Sequence, residues 1–230
     1  MTSVSFYFNI INEMKKEDCD TRNQVLVIHG GDAFSHDEHE MYLDAIRKKQ
    51  VRLDYSPARK WKETLGQKLG RGWQVINPVM PGRDNAKYEA WKIFFEKHLD
   101  LLRPGALLIG HSLGGIFLAK YIAENGLPEE KEIRGVIMVA ATHHGENPNA
   151  TLYSFELPND MSKLAALGPK VTLMHSRDDT VVWWADFEAY CKDLPDAKKM
   201  EFDDYGHFSV KAFPEIREVV KDYFQPVTEE

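Results

Sequence analysis

A chain of 230 residues, 43% hydrophobic and 28% charged, carries enough apolar material for one α/β core, and a single domain over 1–230 is expected. A formal net charge of -7 argues against a nucleic-acid groove or a patch for anionic membrane, since both reward clustered cations. Two cysteines, Cys19 and Cys191, give neither a disulfide framework nor metal spacing, and no apolar run approaches the roughly 18 residues of a spanning helix, so a soluble cytoplasmic protein is expected.

Val4, Phe6, Phe8 and Ile10 alternate with Ser3, Ser5, Tyr7 and Asn9, which predicts a half-buried edge strand that could pair with another copy; the sequence assigns no oligomeric state. Residues 13–22 are charged and read as a loop. The continuous β-branched and leucine run at 25–28 empties into His29-Gly30-Gly31, as an inner parallel strand does. The stretch 32–72 exceeds an ordinary connection, carries helical patterns near 38–48 and 57–69, and has length enough for part of it to fold over a site. A short strand at 73–76 follows, and Tyr88, Trp91, Phe94, Phe95, His98 and Leu102 then recur at helical spacing, the pattern of a core stripe. The run 106–109 leads into Gly110-His111-Ser112-Leu113-Gly114-Gly115 and a helix stopped by Asn125-Gly126. Strands at 133–141, 171–175 and 200–202 then alternate with an excursion over 142–169 that has a helical piece near 161–167, a helix at 183–192, and a closing helix at 214–224. This alternation, without internal repeats, predicts an α/β, doubly wound, mainly parallel sheet of about six to seven strands with only a minimal cap. Right-handed crossovers place the loops that follow the strands on one edge.

A serine between two glycines, after a strand and before a helix, reads as a nucleophile elbow. The turn forces Ser112 into strained backbone angles, Gly110 and Gly114 remove side chains that would collide, and the helix N-terminus favours negative charge at the hydroxyl. The bland alternative is a glycine-rich turn that only packs. A serine hydroxyl is a poor nucleophile at neutral pH, so it needs a base and a carboxylate that fixes the base in one tautomer. Among nine histidines, His207 in Asp204-Tyr205-Gly206-His207-Phe208 follows the last strand, where Gly206 permits a turn that aims an imidazole at the sheet edge. The acid is expected in Ser176-Arg177-Asp178-Asp179-Thr180, where spacing alone leaves the two aspartates equal. His111 is expected to pack behind the serine, and His29 and His175, which end buried strands, to take backbone partners. His36, His39, Glu38 and Glu40 crowd one helix start, yet H-x-x-H without a third placed ligand reads as a solvated face, so no metal is expected. No G-x-G-x-x-G or lysine-bearing phosphate loop follows the early strands, which weakens a flavodoxin-like or nucleotide-binding reading, and no cofactor is expected.

The chain order Ser112, Asp179, His207 resembles that of the α/β-hydrolase superfamily, and three motifs from residue 25 onward carry the likeness. The elbow is the first. The second is the H-G pair His29-Gly30 after an early strand. The third is His175-Ser176-Arg177-Asp178-Asp179-Thr180-Val181-Val182, which matches H-G-x-x-D-x-x-V with serine for the glycine. The resemblance implies Asp179 as the acid and the backbone N–H groups of Gly31 and Leu113 as the oxyanion hole. Small size and a weak cap are similar to the compact serine hydrolases of the retinoblastoma-binding-protein-like and YdeN-like group. A third glycine, found in H-G-G-G lipases, is replaced by Asp32, a carboxylate that would repel anionic substrates. The implied activity is hydrolysis of carboxylic esters through an acyl-enzyme, without a cofactor. Thioester, amide or acyl-transfer chemistry would use the same atoms, and a non-catalytic binding protein on the same scaffold is the alternative. Phe34, His143, Trp183 and Trp184 are candidates for a pocket that favours small or apolar acyl groups; the tryptophans could equally anchor the helix that follows. The expected partner is a small-molecule ester, with neither nucleic acid nor membrane.

Overall fold

Val25, Leu26, Val27 and Ile28 are apolar in unbroken succession, so a strand built from them must bury both faces. The computed structural model, which describes residues 21–35, 38–50, 60–143 and 152–226, does this. Val25 and Val27 pack with Leu107, Ile109, Ile137 and Val139 on one face of a sheet, and Leu26 and Ile28 pack with Leu108, Met138 and Leu173 on the other. The sheet comprises β1 (Asn23–Ile28), β2 (Trp73–Ile76), β3 (Leu107–His111), β4 (Gly135–Val139), β5 (Val171–Ser176) and β6 (Lys198–Phe202). All pairs are parallel, in the spatial order β2-β1-β3-β4-β5-β6.

Seven helices among the described residues connect the strands: α1 (His39–Lys48), α2 (Trp61–Leu69), α3 (Tyr88–Leu101), α4 (Leu113–Asn125), α5 (Ser162–Ala165), α6 (Trp184–Asp193) and α7 (Pro214–Asp222). Trp91 and Phe95 of α3, Phe117 of α4 and Tyr190 of α6 cover the Leu26 face, whereas Trp61 and Leu65 of α2 and Ile216 and Val220 of α7 cover the Val25 face. The sheet is therefore doubly wound. Because β2 lies on one side of β1 and β3 on the other, the strand order reverses between β1 and β3. Ligands of open α/β sheets bind outside the carboxyl ends of the strands at such a reversal. Gly30 and Ser112 leave the sheet there.

Boundaries differ from expectation where local chemistry changes. β4 stops at Val139 because Ala140 turns to φ 46° and sends its N–H to the Met174 carbonyl. β6 begins at Lys198, two residues before the apolar signal, since an edge strand exposes its charged side chains. α2 buries Trp61, Leu65 and Leu69, so it is a crossover helix packed on the sheet. The expected strand at 4–10, most of the loop at 13–22, Cys19, His36 and residues 144–151 of the 142–169 excursion lie outside the described residues. No described helix is long and apolar enough to cross a membrane.

Candidate active site

β3 delivers Ser112 into a turn with φ 56° and ψ -123°, a left-handed setting that costs a non-glycine residue about 1–3 kcal/mol. Its neighbours enforce that setting. A Cβ on Gly110 would lie 2.4 Å from the Gly114 carbonyl oxygen, and one on Gly114 would lie 2.3 Å from the Ile28 carbonyl oxygen, so β1, β3 and α4 meet backbone to backbone. The Ser112 N–H donates to the Val139 carbonyl at 2.9 Å, while its own carbonyl accepts from Gly115 at 2.8 Å. Leu113 opens α4, in the first turn where backbone N–H groups have no carbonyl within their own helix. The loop after β1 crosses directly above: a Cβ on Gly30 would stand 3.3 Å from Ser112 Oγ. Gly31 packs on the Arg83 carbonyl, which also accepts the Asp32 N–H at 2.9 Å.

His207 and Asp179 meet beside this elbow. His207 Nδ1 is 2.8 Å from Asp179 Oδ2, and the aspartate's side chain is fully buried. Asp179 Oδ1 accepts the N–H groups of Val181 and Val182 at 2.8 and 3.0 Å. Burial disfavours the charged carboxylate, but the His207 bond and charge and the two valine N–H groups together outweigh it and hold the carboxyl below its usual range. With Nδ1 engaged, Nε2 is the ring nitrogen left for a serine proton. His111 ties the two loops together: its Nε2 is 2.9 Å from the His207 carbonyl, and the two rings lie 4.9 Å apart. No hydrogen bond to Ser112 Oγ forms among the described residues, and His207 Nδ1 is engaged by Asp179.

The four pocket candidates are not brought together. His143 is corrected outright: it is 2% exposed, its N–H donates to Asp186 Oδ1 at 2.6 Å, its Nε2 contacts Asp193 Oδ2 at 2.7 Å, and its ring stands edge-on to Tyr190. The imidazole fastens the loop after β4 to α6 and is buried between the two. Trp184 packs on His175 and Phe187 with the Arg177 guanidinium stacked 4.1 Å from its ring, so it anchors α6. Trp183 remains 42% exposed, and Phe34 leans on Tyr42 while its N–H donates to Asn85. A cavity of about 230 Å³ opens between α2 and α7, lined by Trp61, Leu65, Phe213 and Ile216, on the far side of the His207 loop. His29 and His175 take backbone partners, as expected: Met80 N–H donates to His29 Nε2, and His175 Nε2 meets the Val182 carbonyl.

Two sets of residues that sequence reasoning missed hold the His207 loop. Asp178 Oδ1 accepts from Ser176 Oγ and from the Gly206 N–H, and Ser176 Oγ accepts the Tyr205 N–H at 3.1 Å. The serine that replaces the motif's glycine thus has a task, and the adjacent aspartates divide theirs: Asp179 holds the ring, Asp178 the backbone. The second set begins at Lys62, 8% exposed, whose Nζ lies 3.2 Å from His111 Nδ1. Its one sequence signal is a lysine on the edge of the stripe Trp61, Leu65, Leu69.

A doubly wound parallel sheet with a strained serine after β3, an aspartate after β5 and a histidine after β6 defines the α/β-hydrolase class of protein. Comparison with known proteins narrows the class. A family model described as Serine hydrolase matches residues 53–223, and this chain belongs to that family. It is 30% identical over 158 residues to the Serine hydrolase RBBP9 of Rattus norvegicus, covering 67% of this chain and 80% of that protein. Among solved structures it is similar to the ydeN gene product of B. subtilis, with TM-score 0.64, 19% identity, and 88% and 98% of the two chains covered. A protein from Pectobacterium atrosepticum described as a YdeN-like hydrolase superposes with TM-score 0.58 at 14% identity over 96% and 97% of the two chains.

Proposed function

We propose that this serine hydrolase cleaves carboxylic esters of small or apolar acyl groups through a Ser112-His207-Asp179 triad. The observation that carries the reading is the 2.8 Å contact of His207 Nδ1 with a fully buried Asp179, set beside a serine at φ 56°. In the first step Ser112 Oγ attacks the acyl carbon as His207 Nε2 takes its proton, and Asp179 keeps the ring in the tautomer that leaves Nε2 bare. The N–H groups of Leu113 and Gly31 receive the negative charge on the carbonyl oxygen, supported by the α4 N-terminus. The imidazolium then returns the proton to the departing alcohol. Water, deprotonated by the same nitrogen, releases the acid and regenerates the serine. None of these steps calls for a metal or cofactor, and the expected setting is cytoplasmic.

A fluorophosphonate probe tests the assignment: wild type is labelled once, and Ser112→Ala is not labelled and loses about 10,000-fold or more in kcat on p-nitrophenyl acetate. Folded wild-type protein that resists the probe and turns over no ester would sink the reading. A graded series of p-nitrophenyl acyl chains, run beside the matching thioester and amide, sets the preferred bond and acyl length.

A further inference from the structure

Lys62 sits on the buried flank of α2 between the core residues Trp61 and Leu65. Its Nζ lies 3.2 Å from His111 Nδ1, and His111 Nε2 lies 2.9 Å from the His207 carbonyl. Both ends of this chain dictate where the ring carries its hydrogen. A carbonyl only accepts, so Nε2 must be the protonated nitrogen; an ammonium only donates, so Nδ1 must be bare. The two demands agree on one neutral tautomer. Burial holds His111 protonation well below the ordinary imidazole range, with the Lys62 charge adding to the effect. Burial also lowers the Lys62 ammonium to about 8, opposed by Glu63 and assisted by Lys60 and Arg83. His29 and His207 complete the titratable groups that face the pair.

The rest of the α2 start grips the same loop. Lys60 Nζ donates to Ser209 Oγ at 3.2 Å, Trp61 Nε1 donates to the Phe208 carbonyl at 3.0 Å, and the Trp61 N–H donates to the Val210 carbonyl at 3.1 Å. With the bond through His111, four consecutive residues from His207 to Val210 are tied to three consecutive residues of α2 or its N-cap. The contact at residue 207 is the one that reaches α2 through a second side chain.

We propose that Lys62 is a positioning residue: by donating to His111 Nδ1 it anchors the ring of the Nε2–H tautomer, whose bond to the His207 carbonyl holds the His207 loop beside the Ser112 turn. The assignment rests on the triad reading for its effect on rate, though not for its effect on His111. Replacing the lysine by methionine keeps the stem and removes the donor, leaving Nδ1 a buried acceptor without its Nζ partner. Small displacements of a catalytic group are costly, so Lys62→Met is expected to lower kcat on p-nitrophenyl acetate about 10- to 100-fold with KM within about twofold of wild type. Nitrogen-15 NMR of the same sample should show the His111 Nδ1 signal moving as its ammonium donor is lost, while Nε2, still facing the His207 carbonyl, stays protonated. Lys62→Arg, which retains a cationic donor, is expected to keep the Nδ1 signal near its wild-type position and to hold kcat within about threefold of wild type. Should Lys62→Met fail to fold, the Arg variant decides by the same two readouts. Wild-type kcat in Lys62→Met, an unmoved His111 Nδ1 signal in that variant, or a Lys62→Arg variant as slow as Lys62→Met would each overturn the proposal. A wild type inert to both ester and fluorophosphonate would remove the hydrolase reading, and the Nδ1 measurement would still decide whether Lys62 holds His111.

Discussion

The β3–α4 elbow and the loop between β6 and α7 place the proposed nucleophile and the proposed base by opposite means. At the elbow, Ser112 is fixed by exclusion: the backbones of β1, β3 and α4 approach so closely that a single Cβ at Gly110 or Gly114 would fall within 2.4 Å of a carbonyl oxygen. At the loop, His207 is fixed by attachment, through bonds from Ser176 at the end of β5 and Asp178 just beyond it, from His111, and from Lys60 and Trp61 at the start of α2. Steric exclusion is close to all-or-none, because packed backbone has nowhere to move. A set of hydrogen bonds fails by degrees, since each contributes about 1 kcal/mol and the others persist when one is lost. The nucleophile's setting is therefore brittle and the base's setting graded.

Substitutions can break or sharpen this contrast. After Ser112→Ala, the largest loss of rate is expected where the attachment reaches the ring itself: Asp179→Asn, which no longer selects the productive tautomer, should lower kcat by about 1,000- to 10,000-fold. The same residue marks the acid side of stability. Its carboxyl is held below the ordinary range in the fold, so its contribution is complete above the unfolded value near 4 and is lost as pH falls through the lower folded value. Urea melts at a series of pH values should show a shallower acid decline in Asp179→Asn than in wild type. Gly114→Ala attacks the excluded volume instead and should cost about 3 kcal/mol or more of unfolding free energy, or prevent folding, as read from thermal melts. Ser176→Ala removes one of several ties on the histidine loop and should lower kcat about tenfold with little change in KM. The smallest change is expected at Trp183, 42% exposed at the start of α6, where alanine should shift stability by about 0.5 kcal/mol or less; a raised KM there would show that it touches substrate.

The same contrast explains what the sequence disclosed. The elbow is encoded within six consecutive residues, so Ser112 and its glycines are legible from spacing alone. The alternation of apolar strand and helix signals gives a parallel, doubly wound sheet for the same reason: each element announces itself locally. His207 was legible from its place after the last strand beside Gly206, but Asp179 needed the family likeness, because nothing within the Asp178-Asp179 pair says which carboxylate turns toward a ring 28 residues on. Lys62 was illegible. Its partner stands 49 positions away, and a lysine within a helix reads as solvated unless the packing around it is known. His143 misled for the complementary reason: a loop histidine after a strand looks exposed, and the acids that bury it, Asp186 and Asp193, come from α6, 43 and 50 residues later.

The margin of the sheet formed by β6 has its own consequence. Lys198, Lys199 and Glu201 turn that border into a row of solvated charges beside main-chain groups that have no further strand to pair with among the described residues. Any newcomer aligning there would have to strip water from those charges, so stacking of copies into fibres is discouraged on this side.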